Sequence, residues 1–443
     1  MNVDAPASSP PVGLLSLEDA LERMLSGVEP LPAERVGLGE ALGRVLAEPV
    51  DSLLTLPPWD NSAMDGFAVR WADLAGASRV RPRTLRLIGE SAAGHAARVA
   101  VEAGTAVRIL TGAPLPAGAD AVVPVEETDG GAGPGPAGGA GPGAAGGAVQ
   151  VYRPALAGAH IRRAGSDLRA GYPLLAAGRA LDPQALAVCA AGGHATLPVH
   201  RRPLLAVLAT GDELVEPGTE LGEAQIPDSN TVGLLGQAVE AGADARPLGI
   251  AADRLDDVLE RLRPALGWAD VVVVSGGVSV GLHDVVKEAF ESLGRLDLWR
   301  VAVQPGKPLA FARAARAGAT GEVLLFGLPG NPVSSFVTFE LFVRPILRRL
   351  AGQAQLSGRE RVQAHLGERI AKAPGRRAFL RVRLERRPDG WRAWLAGGQG
   401  SHVLSALAAA DGLAIVPEER DVLEEGEEVE VIVLRPLSQA VGR

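Results

Sequence analysis

The sequence predicts an α/β multidomain protein centred on a doubly wound, mainly parallel sheet. Between Leu204 and Leu350 short apolar runs alternate with amphipathic stretches. This βαβ rhythm puts helices on both faces of a parallel sheet. Within it, four consecutive valines, Val271 to Val274, read as a fully buried strand and run straight into the glycine-rich loop Ser275 to Gly281. Outside this region the pattern changes. Thr55 to Gly171 shows short apolar runs punctuated by Gly and Pro, which predicts a β-rich module. After Ser357, alternating segments predict a small C-terminal β-barrel.

The elements follow in chain order. Ser16 before Leu17, Ala20, Leu21, Met24 and Leu25 predicts an N-capped amphipathic helix. A second helix is predicted over 38–47, stopping before Pro49. Gly130 to Ala148 is almost wholly Gly, Ala and Pro, a composition that reads as a flexible loop insertion within the β-rich module. In the central region strands are predicted at 204–209, 245–250, 271–274, 298–303, 308–312 and 323–326. Helices are predicted at 231–241, 254–264, 284–293 and 333–350. The terminal strands are placed at 377–384, 391–395, 413–416 and 429–434.

Composition narrows the function classes. The chain has 443 residues, 47% of them hydrophobic, enough for two to four domains with ample core. A net charge of −8 argues against a general nucleic-acid binder, which needs a basic field. No apolar run approaches the ~20 residues of a membrane helix. The N-terminal MNVDAPASSPPVG has neither a basic nor an apolar signal region. Cys189 is the only cysteine, so no internal disulfide can form and a cytoplasmic protein is expected. Only Lys287, Lys307 and Lys372 among the 44 basic residues are lysine. A lysine kept inside the Pro305–Pro308 turn is therefore of interest as a compact charge.

In doubly wound sheets ligands bind beyond the carboxyl ends of the strands. The loops there are Thr210–Leu214, Ala251–Asp253, Ser275–Asp284 and Gly327–Pro332. Ser275, Gly276, Gly277 and Ser279 offer backbone N–H groups and hydroxyls to an anion such as a phosphate. Asp284 follows them, an odd neighbour for an anion unless a cation is shared. Glu213 and Asp253 come from two further loops of the same edge, and oxygen ligands of this kind suit Mg²⁺ carried by phosphates. Asp253 has an alternative reading as the cap of the next helix. Gly277-Val278-Ser279-Val280-Gly281 formally matches a hydrolase nucleophile elbow, but four residues separate its serine from the helix and no oxyanion-loop signature precedes it. Asn331 and Pro332 fit a helix start, and Asp228-Ser229-Asn230 reads as a helix cap rather than a site. Asp60 to Gly66 packs more polar groups between Trp59 and Phe67 than one turn needs.

At these residues the chain resembles the molybdopterin molybdenumtransferase family, MoeA in bacteria and the E-domain of gephyrin and Cnx1 in eukaryotes. The matching strings are DNSAMDGFAVR (Asp60–Arg70), ILTGAPLPAGADAVVPVEE (Ile109–Glu127), IRRAGSD (Ile161–Asp167), TGDEL, SGGVSVG, PGKP, GLPGNPVS (Gly327–Ser334) and QGSH (Gln399–His402). They occur in order over about residues 14 to 435. The resemblance implies a four-part subunit: a small α/β linker and dimerisation domain (12–50 with 172–200), the β-rich module (51–171), a molybdopterin-binding-like α/β domain (201–353) and the barrel (354–436). It further implies a homodimer with the active cleft between the α/β domain of one subunit and the β-rich module of the other.

The implied reaction inserts molybdate into adenylylated molybdopterin (molybdopterin-AMP), releasing AMP, with Mg²⁺ or a similar divalent cation. Carried over residue by residue, Glu213, Asp284, Asp65 and Asp167 take catalytic roles, and Glu213, Asp253 and Asp284 the metal. Thr111, Arg162, Ser275, Gly276, Gly277, Ser279, Pro329, Gly330, Asn331 and Pro332 would hold pterin or adenylate. Lys307, Arg376 and Ser401 would hold molybdate, a compact dianion that needs cationic and hydroxyl donors. Contacts with a molybdopterin adenylyltransferase and with molybdoenzyme maturation proteins are implied, and none with nucleic acid or membrane. An adenylyltransferase or a gephyrin-type scaffold is the alternative. The chain departs from the family's pattern in carrying Gln304 where many relatives have lysine, Pro227 where a tyrosine is usual, and the 130–148 insertion.

Overall fold

The protein is described by a computed structural model covering residues 14–131, 146–277, 284–306, 308–353, 356 and 359–436. The central sheet contains β1 (Leu204–Thr210), β2 (Asp244–Ala251), β3 (Val271–Ser275), β4 (Gly294–Arg300), β5 (Pro308–Ala315) and β6 (Glu322–Leu328). Their spatial order is β2-β1-β3-β6-β5-β4. β2, β1, β3 and β6 pair in parallel, and β5 is antiparallel to both its neighbours. From β1 the chain moves outward to β2, then returns across β1 to β3. The direction of winding therefore reverses between β1 and β3.

The four valines show why the sheet is double-faced. Val271 and Val273 enter the core beneath helices α3 (Ser229–Glu240) and α6 (Pro332–Thr338). Val272 and Val274 enter the opposite core beneath α4 (Leu255–Ala265) and α5 (Val285–Leu293). Side chains alternate along a strand, so an unbroken apolar run satisfies two cores at once.

The N-terminal helix α1 (Leu17–Leu25) is capped by Ser16, whose hydroxyl accepts from the Asp19 N–H at 3.0 Å. Its Ala20 and Met24 join the core of the α/β layer. Strand 33–37 pairs with 196–200, and 50–51 with 173–175, beside α2 (Pro183–Ala191). A separate cluster of Ala41, Leu46, Val50, Leu181, Ala185 and Cys189 fills that unit. The β-rich module has a five-stranded sheet ordered 121–124, 66–69, 105–109, 83–91 and 148–151. Residues 132–145 of the predicted insertion lie outside the described residues.

The barrel is built from β7 (Arg361–Leu366), β8 (Arg377–Arg387), β9 (Gly390–Leu395), β10 (Gly412–Val416) and β11 (Glu428–Val433). It closes because β8 pairs with both β9 and β10. Helix α8 (Leu404–Ala409) joins it to α6.

Two predicted elements differ. The helix over 38–47 is a single 3-10 turn, Leu38–Glu40, followed by bridges from Val45 to Ala180 and from Leu46 to Val199. Gly43 adopts φ +73°, a left-handed conformation that ends a right-handed helix. The strand placed at 298–303 is β4, ending at Arg300, and a distinct pair, Val303–Gln304, which runs beside the start of β8. The barrel captures the end of that apolar run.

Candidate functional site

The winding reversal brings the ends of β1 and β3 together, and the backbone there is packed to contact. A Cβ on Gly276 would lie 2.2 Å from the Thr210 carbonyl oxygen, and the residue's φ of +100° disfavours side chains independently. A Cβ on Gly330 would meet the Gly276 Cα at 3.5 Å, so the loop after β6 lies against the loop after β3. Asn230, at the start of α3, fastens the two: its Nδ2 donates to Ser275 Oγ at 2.8 Å and to the Gly330 carbonyl at 2.7 Å. Ser275 is buried and also lies 3.5 Å from Ser335 Oγ. Pro329 is buried, whereas Gly330 and Asn331 face outward and Pro332 opens α6. Ser279 lies outside the described residues.

The sequence places Asn230 with Asp228 and Ser229 in a helix cap. Asp228 is that cap, accepting from the Thr231 N–H at 3.0 Å, but Asn230 has the separate role just described. Its neighbours in sequence gave no sign of this, because both its acceptors come from remote loops. Replacing Asn230 with Asp removes both donors. The expected cost is about 1–3 kcal/mol in denaturant unfolding, since the partners lose hydrogen bonds in a part-buried place. Amide hydrogens of Ser275 to Gly277 should exchange faster.

The carboxylates line the same edge. Asp253 accepts from the Thr210 hydroxyl at 2.7 Å, and its N–H donates to Asp212 Oδ1 at 3.1 Å. The cap reading of Asp253 is overturned: Arg254 occupies the cap position of α4, and Asp257 takes the Ala252 N–H at 2.6 Å. Glu213 folds back over its own turn, so that a Cβ on Gly211 would meet its Oε2 at 2.6 Å. Asp284 is buried and caps α5, accepting the Lys287 N–H at 2.9 Å. Among the described residues no three Asp, Glu, His or Cys side chains converge as a metal cage. The oxygen donors on this edge suit a cation that arrives with phosphates, a mode natural to Mg²⁺.

A second polar group lies on the β-rich module. Strand Asn61–Ser62 pairs with Ile161–Arg162, which joins the DNSAMDG and IRRAGSD segments. Asp65 Oδ1 accepts from both the N–H and the hydroxyl of Thr111 at 2.6 Å, and these bonds hold its carboxyl below the usual aspartate range. Asp60 accepts the Ala164 N–H at 2.8 Å and pairs with Arg163 at 2.6 Å, with the same direction of shift. Arg162 and Asp167 are exposed nearby, Asp167 bonding through its N–H to the Leu56 carbonyl.

Of the three predicted oxyanion residues, Ser401 and Arg376 come from the joint between barrel and α/β layer. Ser401 accepts the Val333 N–H at 3.1 Å through its carbonyl, which anchors the QGSH turn on the start of α6. A Cβ on Gly306 would meet Thr338 Oγ1 at 2.5 Å, so the PGKP turn rests on the same helix. Lys307 itself lies outside the described residues. Arg376 is half-buried at the start of β8, its carbonyl held by Lys372 Nζ at 2.8 Å. Gln304, in register with Ala378, has a buried Oε1 without a hydrogen-bond partner among the described residues.

Comparison with known proteins agrees with this architecture. Residues 15–193 match the MoeA N-terminal region (domain I and II), 206–349 a family described as "probable molybdopterin binding domain", and 363–434 the MoeA C-terminal region (domain IV). Molybdopterin molybdenumtransferase 2 of Mycobacterium tuberculosis is 38% identical over 395 residues, covering 88% of this chain and 91% of that protein. The molybdopterin molybdenumtransferase of Synechococcus elongatus is 36% identical, covering 94% and 99%. The molybdopterin biosynthesis MoeA protein of Pyrococcus horikosii superimposes with a TM-score of 0.78 at 33% identity, covering 96% of this chain and all of that one. Fold, order of domains and identity over nearly the whole length agree: the chain belongs to the molybdopterin molybdenumtransferase family and is an enzyme with a role in molybdenum cofactor biosynthesis.

Proposed function

We propose that the protein transfers molybdenum from molybdate to adenylylated molybdopterin and releases AMP. The observation that carries this reading is the cradle at the winding reversal, where Ser275, Gly276 and Gly277 meet Gly330 under the hold of Asn230. A glycine loop at the point where the winding of a doubly wound sheet reverses is where such sheets hold a phosphate, and this supports the reading. Pro329, Asn331 and Pro332 flank Gly330 in the same loop, and Ser279 is assigned to this site from the sequence and the family resemblance alone. Insertion forms two bonds from molybdenum to the pterin's paired sulfurs and breaks one Mo–O bond, the oxygen leaving as water with the two thiol protons. Cleavage of the phosphoanhydride breaks one P–O bond. Water supplies the new P–O bond and gives its proton to a carboxylate, for which Asp284 and Glu213 stand on the edge.

Mg²⁺ or a similar cation bound with the phosphates would lie near Glu213, Asp253 and Asp284 and would offset the charge that develops on the leaving phosphate. Asp65, Thr111, Arg162 and Asp167 lie exposed on the module, and in a homodimer they would be presented to the cleft of the other subunit. Molybdate would be held by Lys307, Arg376 and Ser401. A cytoplasmic location follows from the soluble substrates of this reading. Among the described residues no helix is long and apolar enough to cross a membrane.

The test incubates purified protein with molybdopterin-AMP and molybdate, following AMP by chromatography and pterin-bound molybdenum by metal analysis. Both products are expected, AMP only with a divalent cation present. An adenylyltransferase would instead consume ATP and molybdopterin, and a scaffold would yield neither product. Size-exclusion chromatography with light scattering is expected to give twice the mass of one chain.

A further inference from the structure

Arg381 is fully buried, and among the described residues its Nε and Nη1 have no hydrogen-bond partner. Burial pulls its pKa down, and among the described residues no carboxylate forms an ion pair with it. The strand period explains where it sits. Leu380, Val382 and Leu384 of β8 fill the barrel, whereas Phe379 packs with Val303 and Val333 in the α/β core. Arg381 shares the face of Phe379, at the joint between barrel and α/β layer.

What Arg381 does bond is the QGSH turn. Its Nη2 donates to the carbonyls of Gly398 at 2.9 Å and Gly400 at 3.1 Å. Its own N–H donates to Gln399 Oε1 at 2.9 Å, and Gln399 Nε2 donates back to the Arg381 carbonyl at 3.1 Å. The turn is thereby wrapped on one arginine, immediately before Ser401 and its bond to α6. A buried guanidinium without a counter-charge is costly, and its field is strong because the surroundings screen it weakly.

We propose that Arg381 is the positioning residue of the oxyanion pocket: it sets the Gly398–Ser401 turn, and its uncompensated charge favours a tetrahedral dianion beside Ser401. This rests on the reading that molybdate binds at Ser401 and Arg376. It adds a residue that does not itself touch the anion.

The test measures molybdate binding to the full-length protein by equilibrium dialysis with metal analysis, beside melting temperature and the KM for molybdate. Arg381→Gln keeps a donor for the carbonyls and drops the charge, and it should bind molybdate on the order of tenfold more weakly. KM should rise while kcat holds. Arg381→Lys keeps the charge and should stay within about threefold of the parent. Should the Gln variant fail to fold, Arg381→Met takes its place with the same expectation. A folded variant without the charge that binds molybdate as the parent does overturns the proposal. So does an equal loss in the Gln and Lys variants that tracks their melting temperatures. Failure of the underlying reading looks different: the parent binds no molybdate, or Ser401→Ala binds it unchanged.

Discussion

Asp284→Asn is expected to lower AMP release and molybdenum loading by about 10²-fold or more while leaving the fold in place. The two effects separate because the catalytic role proposed for Asp284 is distinct from the cap it forms. As the cap of α5 it accepts the Lys287 N–H at 2.9 Å. Asn serves that position as well as Asp, so the melting temperature should barely move. In the proposed reaction this carboxylate at the carboxyl edge of the sheet is a negative charge and a proton acceptor, and Asn is neither. Asp284→Ala removes both and should lose about 1 kcal/mol of stability in addition. Parental turnover in the Asn variant would leave the capping role as the whole account of this residue.

Glu340→Ala is expected to destabilise the protein by about 3–5 kcal/mol, the usual result of stripping one partner from a buried ion network. Glu340 sits in a π-helical segment, Phe339–Val343, between α6 and α7 (Arg344–Leu350). Its carboxylate accepts from Arg344 Nε at 2.6 Å, from Arg359 Nε at 2.9 Å and from Gln237 Nε2 at 2.8 Å. Arg359 also donates to the Leu434 carbonyl at 2.8 Å, which fastens the end of the barrel to the α/β layer. Without the carboxylate, the ion pairs of Arg344 and Arg359 reduce, among the described residues, to the half-exposed Glu240, with Arg359 keeping its bond to the Leu434 carbonyl.

The pH dependence has a definite sign. Burial on its own would raise the Glu340 pKa, but the bonds from Arg359 and Arg344 win and hold it below the ordinary 4.5. A carboxyl lowered in the folded state binds its proton more readily when unfolded. Its contribution is complete above 4.5 and drains away as the pH falls through the lowered value. Urea unfolding at pH 7 and pH 4 should show the gap between parent and Glu340→Ala narrowing at the lower pH. A constant gap would mean that packing, not charge, carries the loss.

Local chemistry made much of this architecture legible. Four valines in a row can only be shielded on both sides, so Val271–Val274 announced the double-faced sheet. Ser16 and Asp284 announced helix starts, because a short polar side chain before an apolar period satisfies the first free N–H groups. The rule that such sheets bind at their carboxyl edge picked out the loops on which the proposed site is built. What stayed hidden depended on partners far apart in the chain. Gly43 could be read as a tolerated glycine in a helix until the pairing of Leu46 with Val199 showed a competing bridge. Val301 to Gln304 looked like the end of a strand until the barrel claimed Val303.

By itself, then, the sequence determined the fold class and, through eight ordered motifs, the family. These rest on period, caps and residue type, all of which act over a few residues. The tertiary structure alone decided that Asn230 fastens the loop after β3 to the loop after β6, that Asp253 is not a cap, and that Arg381 and Glu340 are buried cornerstones of the joint with the barrel. Each of these depends on which distant groups share a low-dielectric interior, and no local spacing encodes that.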